Sequence, residues 1–498
     1  MTAVHSDRRR VAVRGICVPM IVGCLLALVG CASVVPQGDA SSAVDVPSAW
    51  SAADGAAPGG NASLVQWWSG FSDPLLGSLV EQALLANTSV KTAQAALRQA
   101  RALRDVAGAR LLPTLAGSVS AQRSGTSSAA PSAGRTTTNS FQAGLDASWE
   151  PDIFGANRSA LAASEATANA SAASLGDVQV SIAAETALNY IALRGAQARL
   201  AIADANLASQ LETLQITQWR LQAGLVTSLE AEQARAATEQ TGAQLPALQT
   251  IIAQTRHAIA VLTGQPPAAL VSVLAASGPM PQAADDLALS IPAETLRQRP
   301  DVRAAEHRVT AAVASVAQAD AARLPNFRLG GSLGLNALTL GGLTNGASVV
   351  SALLASVSLP LFDGGALRAQ VRAQQAALDQ AQVAYQATVL TALKDVENAL
   401  VALRGDRERL LRLQQAAEAA ANASLMARQR YSSGLIDFQV VLETQRTQLN
   451  TQDAVASASA DVSADHVRLY KALGGGWQPD GSAATTDPNN DSTRTSRS

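Results

Sequence analysis

The sequence predicts a membrane protein of the α+β class, an internally duplicated subunit in which each half holds a β-hairpin and long antiparallel helices. Three observations predict this fold class. Hydrophobic residues make up 48% of the 498 residues and aromatic residues only 3%, which suits thin helices that pack closely. The chain also matches itself at an offset of about 210 positions. Finally, each half contains two segments in which apolar and polar residues alternate.

Residues 1–30 have the composition of an export signal of the lipoprotein type. A positive head precedes an apolar run, Ile16 to Val29, which is too short and too interrupted for a good spanning helix. The run ends in "LVGCAS", Leu28 to Ser33, which resembles the lipobox of bacterial lipoproteins and implies cleavage before Cys31 and lipidation of that cysteine. Ala32, the second mature residue, then implies sorting to the outer membrane. Two alternatives stay open, an ordinary cleaved signal and a weaker lipobox at Ile21 to Cys24.

Residues 31–65 are expected to form a lipid-anchored linker. Cys17 and Cys24 leave with the signal, so the mature chain keeps only Cys31 and forms no disulfide. After Cys31 the sequence has no run of about twenty apolar residues, the length that a transmembrane helix needs.

Equal glycine spacings indicate that one structural unit occurs twice. Gly155–Gly224 and Gly365–Gly434 each span 69 positions, and Gly224–Gly264 and Gly434–Gly474 each span 40. The sequence therefore predicts repeats at 66–264 and 293–477, an equatorial connecting segment at 265–292, and a disordered tail at 478–498.

A β-hairpin is predicted in each repeat, at about 114–150 and 326–361. Apolar and small residues recur at every second position, and the two strands of each hairpin flank a polar loop, Arg123–Ser140 or Ala337–Ser348. The residues expected on one face are Leu115, Gly117, Val119, Ala121, Phe141, Ala143, Leu145, Ala147, Trp149, Phe327, Leu329, Gly331, Leu333 and Leu335. Strands of this kind fit a lipid-facing sheet, although a hairpin in a water-soluble sandwich shows the same alternation.

Each hairpin is followed by a long helical hairpin, at about 156–263 and 366–474. Its outgoing helix is expected at about Asn157–Gln222 or Ala366–Ser432, and each would reach roughly 100 Å. A coiled-coil seam runs through Leu393, Val396, Leu400 and Leu403. Gly224 and Gly434 follow these helices. Glycine destabilises a helix interior, but it is favoured where the chain turns back and the backbone must be left-handed.

Four strands are too few to close a barrel. About eight are needed, and an open sheet in lipid leaves backbone groups unpaired at several kcal/mol each. If the strands lie in a membrane, several chains must combine, and three copies would supply about twelve strands.

The chain resembles the outer-membrane factors, the TolC-like and NodT-like exit ducts of tripartite efflux pumps, and most closely the lipoprotein branch. The similarity covers about Gln66 to Trp477. It rests on an ordered set of motifs: "QWWSGFSDPLL" from Gln66, "WEPDIFGANR" from Trp149, "AVLTGQPP" from Ala260, "IPAETLRQRPDVRAAE" from Ile291, "LPLFDGGALRAQV" from Leu359, "DVENAL" from Asp395 and "LYKALGGG" from Leu469. Pro151, Gln439 and Val440 depart from the pattern of the family.

The resemblance implies a trimer with a twelve-stranded β-barrel and a long α-helical barrel that forms a tunnel. It also implies passive conduction of drugs or other small molecules, received from an inner-membrane resistance-nodulation-division transporter through a periplasmic adaptor. Two alternatives stay open, an exit duct for type I protein secretion and a lipid-anchored periplasmic coiled-coil scaffold without a pore.

Candidate functional residues lie around the two glycines. Acids and a tyrosine are candidates for the periplasmic aperture, where threefold symmetry would turn each acid into a ring and hydrogen bonds to Tyr431 or Arg220 would hold the mouth shut. These candidates are Glu230, Glu232, Tyr431, Asp437 and Glu443. By resemblance, "RLQAGL" and "RYSSGL" contact the adaptor through Arg220, Gly224, Leu225, Arg430, Gly434 and Leu435.

No motif indicates an enzyme, a metal site or a cofactor. His257, His307 and His466 stand alone in helical segments without metal-ligand spacing, and the glycine-rich stretches lack the strand-to-helix context of a phosphate loop. Trp67 and Trp68 are expected to pack a segment onto the body. A net charge of −2 gives no basic field for nucleic acid.

Overall fold

The computed structural model describes residue 50 and residues 64–126, 136–283 and 293–477. The predicted signal with Cys31, the tail, and parts of the linker, the first polar loop and the connecting segment lie outside these residues. No helix in the described part of the chain has a window both long and apolar enough to span a bilayer.

Eight helices and four strands follow one another in the described chain, besides short 3-10 segments at Leu64–Phe71, Ala293–Gln298 and Gly341–Leu343. The first repeat contains α1 (Pro74–Ala86), α2 (Thr88–Ala109), β1 (Thr114–Thr126), β2 (Thr136–Trp149), α3 (Ala156–Gln222), α4 (Ser228–Gly242) and α5 (Gln244–Leu262). The second contains α6 (Pro300–Ala321), β3 (Asn326–Ala337), β4 (Ser348–Ser358), α7 (Ala366–Ser432) and α8 (Phe438–Ala472).

The chain divides into two compact units. The strand unit contains the described parts of Asp105–Ala163 and Ala312–Leu378, and the helical unit contains those of Ala40–Arg104, Ser164–Ala311 and Asp379–Ser498.

In the strand unit, all four strands form one antiparallel sheet in the order β1-β2-β3-β4. The predicted alternation is confirmed, because Val119 pairs with Ala143, which in turn pairs with Leu335 on the same face. Apolar side chains of this face are exposed, with Val119 at 82% and Leu353 at 88%. The edges of the sheet are β1 and β4.

The core of the helical unit is a cluster of aliphatic and aromatic side chains. Trp67 and Trp68 belong to this core, which confirms that the pair packs its segment onto the body. The Trp67 ring stacks on that of Tyr470, with 5.4 Å between the centroids and an angle of 13° between the planes.

The described part of the connecting segment is bound to long helices of the helical unit. The Arg194 guanidinium of α3 donates to the Ala276 carbonyl at 2.7 Å, and the Ser463 hydroxyl of α8 donates to the Pro281 carbonyl at 2.7 Å. Polar side chains therefore satisfy backbone carbonyls of a segment whose described part contains turns but no helix or strand.

The duplication extends to individual hydrogen bonds. Asn87, directly before α2, donates from Nδ2 to the Leu262 carbonyl at 2.9 Å. Arg299, directly before α6, donates from Nη1 to the Ala472 carbonyl at 2.6 Å. Two different side chains thus bind the last carbonyl of the returning helix at the same place in each repeat.

The returning helix differs between the repeats. It is continuous in the second repeat as α8, whereas the first repeat divides it at Ala243 into α4 and α5. The helical hairpin predicted for each repeat implies one returning helix, and the first repeat departs from this prediction. Pro246 explains the break, because proline has no amide hydrogen for the carbonyl one turn earlier. The corresponding position of the second repeat holds Ala456.

Candidate functional site at the two helix turns

The turns after α3 and α7 have the same backbone geometry. Gly224 and Gly434 have φ angles of +71° and +73°, in the left-handed region predicted for them. The following leucine amides donate to carbonyls five residues earlier, Leu225 to Arg220 at 2.8 Å and Leu435 to Arg430 at 2.9 Å. Each glycine also donates three residues back, at 3.0 Å, which completes a Schellman helix end.

Glycine is required at these turns by the left-handed backbone conformation and not by a lack of space for a side chain. A Cβ atom added to Gly224 or Gly434 would meet no heavy atom within 4 Å. The leucines that follow are both 73% exposed. Each turn therefore presents one apolar side chain on a backbone that its Schellman bonds hold in place.

The two turns are in direct contact through Arg220 and Tyr431. The guanidinium carbon of Arg220 lies 4.6 Å from the centroid of the Tyr431 ring, within cation–π range. Arg220 also donates to the Ser432 carbonyl at 3.4 Å. The centroid of the Tyr431 ring also lies 5.3 Å from that of the Phe438 ring, which is buried. Arg430, the counterpart of Arg220 in the second repeat, is exposed.

The four candidate acids lie near the turns but do not contact this pair. Glu230 is half-buried, whereas Glu232, Asp437 and Glu443 are exposed, and Glu443 forms an ion pair with Arg446 at 3.1 Å. Asp437 occupies the position before α8 without a side-chain capping bond.

The hydrogen bonds expected from these acids to Tyr431 or Arg220 are absent from the described part of a single chain. The Tyr431 hydroxyl is buried there without a hydrogen-bond partner. Within one chain, the turns are therefore joined by the Arg220 guanidinium over the Tyr431 ring and by its bond to the Ser432 carbonyl.

A polar stripe leads along α3 to the turn, and the sequence analysis missed it. It consists of Arg199, Asn206, Thr213 and Arg220, which follow one another at intervals of seven residues. Three of the four members contact α8: Arg199 pairs with Asp453 at 2.6 and 3.1 Å, Asn206 donates to Gln452 at 2.8 Å, and Thr213 accepts from Gln445 at 3.0 Å. The heptad spacing places all four on one side of the helix and is the signal that could have revealed them.

A cavity of about 390 Å³ lies beside the last members of the stripe. Its lining includes Thr213 and Arg220 of α3 and Arg428 and Tyr431 of α7. Arg428, also missed from the sequence, donates to the Ser209 hydroxyl at 3.0 Å. Polar contacts between long helices dominate this region, and the two turns are exposed to solvent.

Comparison with known proteins identifies the family. The profile described as "outer membrane efflux protein" matches residues 79–265 and 291–475, one stretch for each repeat. The chain belongs to the outer membrane efflux protein family. It is an outer-membrane efflux component with the fold of the outer-membrane channels of that family, as the resemblance of its motifs had implied.

Relatives and solved structures agree with this membership. The chain is 34% identical to the pyoverdine export outer membrane protein OpmQ of Pseudomonas putida, over 83% of this chain and 89% of that protein. It is 31% identical to the toluene efflux pump outer membrane protein TtgI of Pseudomonas putida, over 82% and 86%. The structure of the outer-membrane channel OprN superposes with a TM-score of 0.82 at 36% identity, covering 87% of this chain and 98% of that one.

Proposed function

We propose that this efflux protein works as the homotrimeric exit duct of a tripartite pump, together with a periplasmic adaptor and an inner-membrane resistance-nodulation-division transporter. The observation that carries the proposal is the pair of identical turns, which presents the same backbone geometry and the same exposed leucine twice in one chain. In a trimer this geometry would recur about six times, the repeated surface that a ring of adaptor chains requires.

The sheet of the strand unit supports the trimer. Its two edge strands, β1 and β4, each have one side without a pairing strand in the single chain. Apolar side chains cover its exposed face. Because backbone groups in lipid must all be paired, the edges of neighbouring chains would pair with each other and close the sheet.

We assign adaptor contact to Gly224, Leu225, Gly434 and Leu435, with Arg220 and Arg430 at the ends of the preceding helices. The exposed leucines supply apolar area, and the flanking arginines supply charge that selects the partner. Glu230, Glu232, Asp437 and Glu443 would form acidic rings around the aperture, beside Tyr431. Cys31 would carry the lipid that anchors the mature chain in the outer membrane.

We further propose that the duct conducts drugs or other small molecules without strong selection of its own. Two relatives support this, because OpmQ is named for the export of pyoverdine and TtgI for the efflux of toluene. Both are named as efflux or export components, which favours this function over a type I secretion duct or a scaffold without a pore.

Cross-linking tests the assembly. Paired cysteines, one in β1 and one in β4, are introduced at several registers into the full chain, which is then oxidised in outer membranes. The expected product is a ladder that ends at three chains, with a matching native mass after purification. The matched control carries both cysteines at Gly144 and Gly334, which pair within one sheet, and should give no ladder. A monomeric native mass with no ladder at any register would contradict the proposal.

A further inference from the structure

A second cavity, of about 400 Å³, lies within the helical unit. We call it the arginine cavity. Three arginines line it, Arg101 and Arg104 of α2 and Arg303 of α6. The other lining residues are His307, Trp477 and, from α3, Ala168, Asn169, Ala172 and Ala173. No carboxylate is among its lining residues. The lining therefore contains three cationic groups, and the volume of the cavity suits an organic molecule rather than a bare ion.

Gly176 makes room for the Trp477 ring that forms one wall of this cavity. A Cβ atom added to Gly176, in the interior of α3, would lie 2.4 Å from the indole Nε1 atom of Trp477. Glycine inside a helix costs about 0.5–1 kcal/mol relative to alanine, and here it makes room for the ring. The Arg303 guanidinium also lies 5.7 Å from the centroid of the Trp477 ring. The Trp477 ring thus lies close to α3 and beside the Arg303 guanidinium, where it forms an aromatic wall of the cavity.

His307 adds a polar group without a full charge. Burial lowers the pKa of its imidazole, Glu306 opposes this, and Arg303 lowers the pKa further. At neutral pH the ring offers a nitrogen donor or acceptor, and the guanidinium groups supply the charge. Guanidinium groups bind tetrahedral and planar oxyanions through paired N–H···O bonds, and phosphate matches this geometry well.

We propose that the arginine cavity binds a phosphate monoester, with its phosphate on Arg101, Arg104 and Arg303 and its organic part against Trp477 and the alanines of α3. The molecule would come either from the soluble pool or from a lipid headgroup, and the phosphate chemistry is the same for both. This proposal does not rest on the duct function, because all of its residues belong to the helical unit of one chain.

Calorimetric titration of the full-length protein, purified in non-ionic detergent at fixed ionic strength, tests the proposal. The probes are phenyl phosphate for a soluble ester and dihexanoyl phosphatidic acid, below its micellar concentration, for a headgroup. Benzyl alcohol is the uncharged control. Saturable binding of one phosphate probe per chain is expected, and the tighter of the two probes identifies the source.

Three variants make the test specific. Arg101→Gln and Arg303→Gln should each weaken binding roughly tenfold, the effect of losing one charge-assisted hydrogen-bond pair. Arg101 is exposed, so its variant should fold normally. Arg308→Gln is the matched control. Like Arg303, Arg308 lies on α6, but it is outside the cavity and donates to Ser174 at 3.1 Å. The Arg308→Gln variant should bind the phosphate probe with unchanged affinity.

Three results would overturn the proposal. They are the absence of saturable binding for both phosphate probes, equal binding of benzyl alcohol, and equal weakening by all three variants. None of these outcomes bears on the native mass or on conduction, so the duct function is tested separately.

Discussion

The guanidinium carbon of Arg220 lies 4.6 Å from the centroid of the Tyr431 ring, and this contact joins the turn of the first repeat to that of the second. It ends the polar stripe that binds α3 to the second repeat. Breaking it should free the two turns to separate, with the rest of the stripe intact.

We expect Arg220→Ala to raise the open fraction of the reconstituted channel. A cation–π contact contributes about 0.5–2 kcal/mol, which corresponds to a change of roughly 2- to 30-fold in a two-state equilibrium. Single-channel recording in planar bilayers measures this fraction. Arg430→Ala is the matched control from the second repeat, because Arg430 is exposed, and it should leave the open fraction unchanged.

Two substitutions at Tyr431 separate the ring from the hydroxyl. Tyr431→Phe keeps the ring under Arg220 and removes a buried hydroxyl that has no hydrogen-bond partner in the described chain, so the closed state should persist. Tyr431→Ala should open the channel as Arg220→Ala does. If the phenylalanine variant opened equally, hydrogen bonding by the hydroxyl in the assembly would be the dominant contact.

Glycine substitutions should differ in cost according to the space around them. Gly434→Ala meets no atom within 4 Å, so it should cost only the left-handed conformation, about 1–2 kcal/mol. Gly264→Ala has a similar φ of +69°, and its Cβ would also lie 2.7 Å from the Ala86 carbonyl oxygen. Overpacking adds about 1–3 kcal/mol. Apparent melting temperatures should therefore fall further for Gly264→Ala, and equal losses would contradict this argument.

The buried carboxyl of Asp465 predicts a stability change with pH. Burial raises the pKa of Asp465, the nearby Arg468 guanidinium opposes the rise, and Asp406 adds to it. A carboxyl whose pKa is higher in the folded state stabilises the fold below its unfolded pKa, and this stabilisation is lost as pH rises through the folded pKa. Asp465→Asn should thus raise the apparent melting temperature near neutral pH, with a gain that shrinks towards pH 4.

The control for this experiment is Asp461→Asn, on the same helix. The Asp461 side chain is 42% exposed and lies 3.5 Å from Arg409, so its substitution should change stability little at either pH. A loss of stability in Asp465→Asn at neutral pH would show that its ion pair with Arg468 outweighs its burial.

The acids around the turns should set the ion preference of the aperture. Replacing Glu230, Asp437 and Glu443 together by their amides removes three negative charges per chain and should reduce cation preference, measured as a shift of the reversal potential in a salt gradient. Glu239→Gln, farther along α4, should leave the reversal potential unchanged. Unaltered selectivity in the triple variant would remove these acids from the aperture.

The features predicted correctly from sequence are those that depend on local geometry and occur twice. The left-handed Gly224 and Gly434 could be located because a helix end needs the same backbone wherever it occurs, and equal spacing confirmed the pattern. The face of the sheet was predictable because alternation fixes which side chains point together. Pro246 is likewise a local signal in the sequence for the break between α4 and α5.

Contacts between distant helices could not be predicted in the same way. The polar stripe has a regular spacing, but its partners Gln445 and Asp453 lie more than 230 residues away, and nothing local selects them. The hydrogen bonds predicted from the acids to Tyr431 or Arg220 are absent from the described part of one chain, and those between chains of an assembly stay a prediction. The Tyr431 ring contacts Arg220 and Phe438, and only the tertiary structure shows that its hydroxyl is buried.

The most direct test of the central claim is a planar-bilayer recording of the unmodified protein purified from outer membranes. We predict discrete single-channel steps from a particle of three chains, which persist without any added transporter or adaptor. Complete absence of conductance from correctly folded protein would contradict the claim that this chain forms an exit duct.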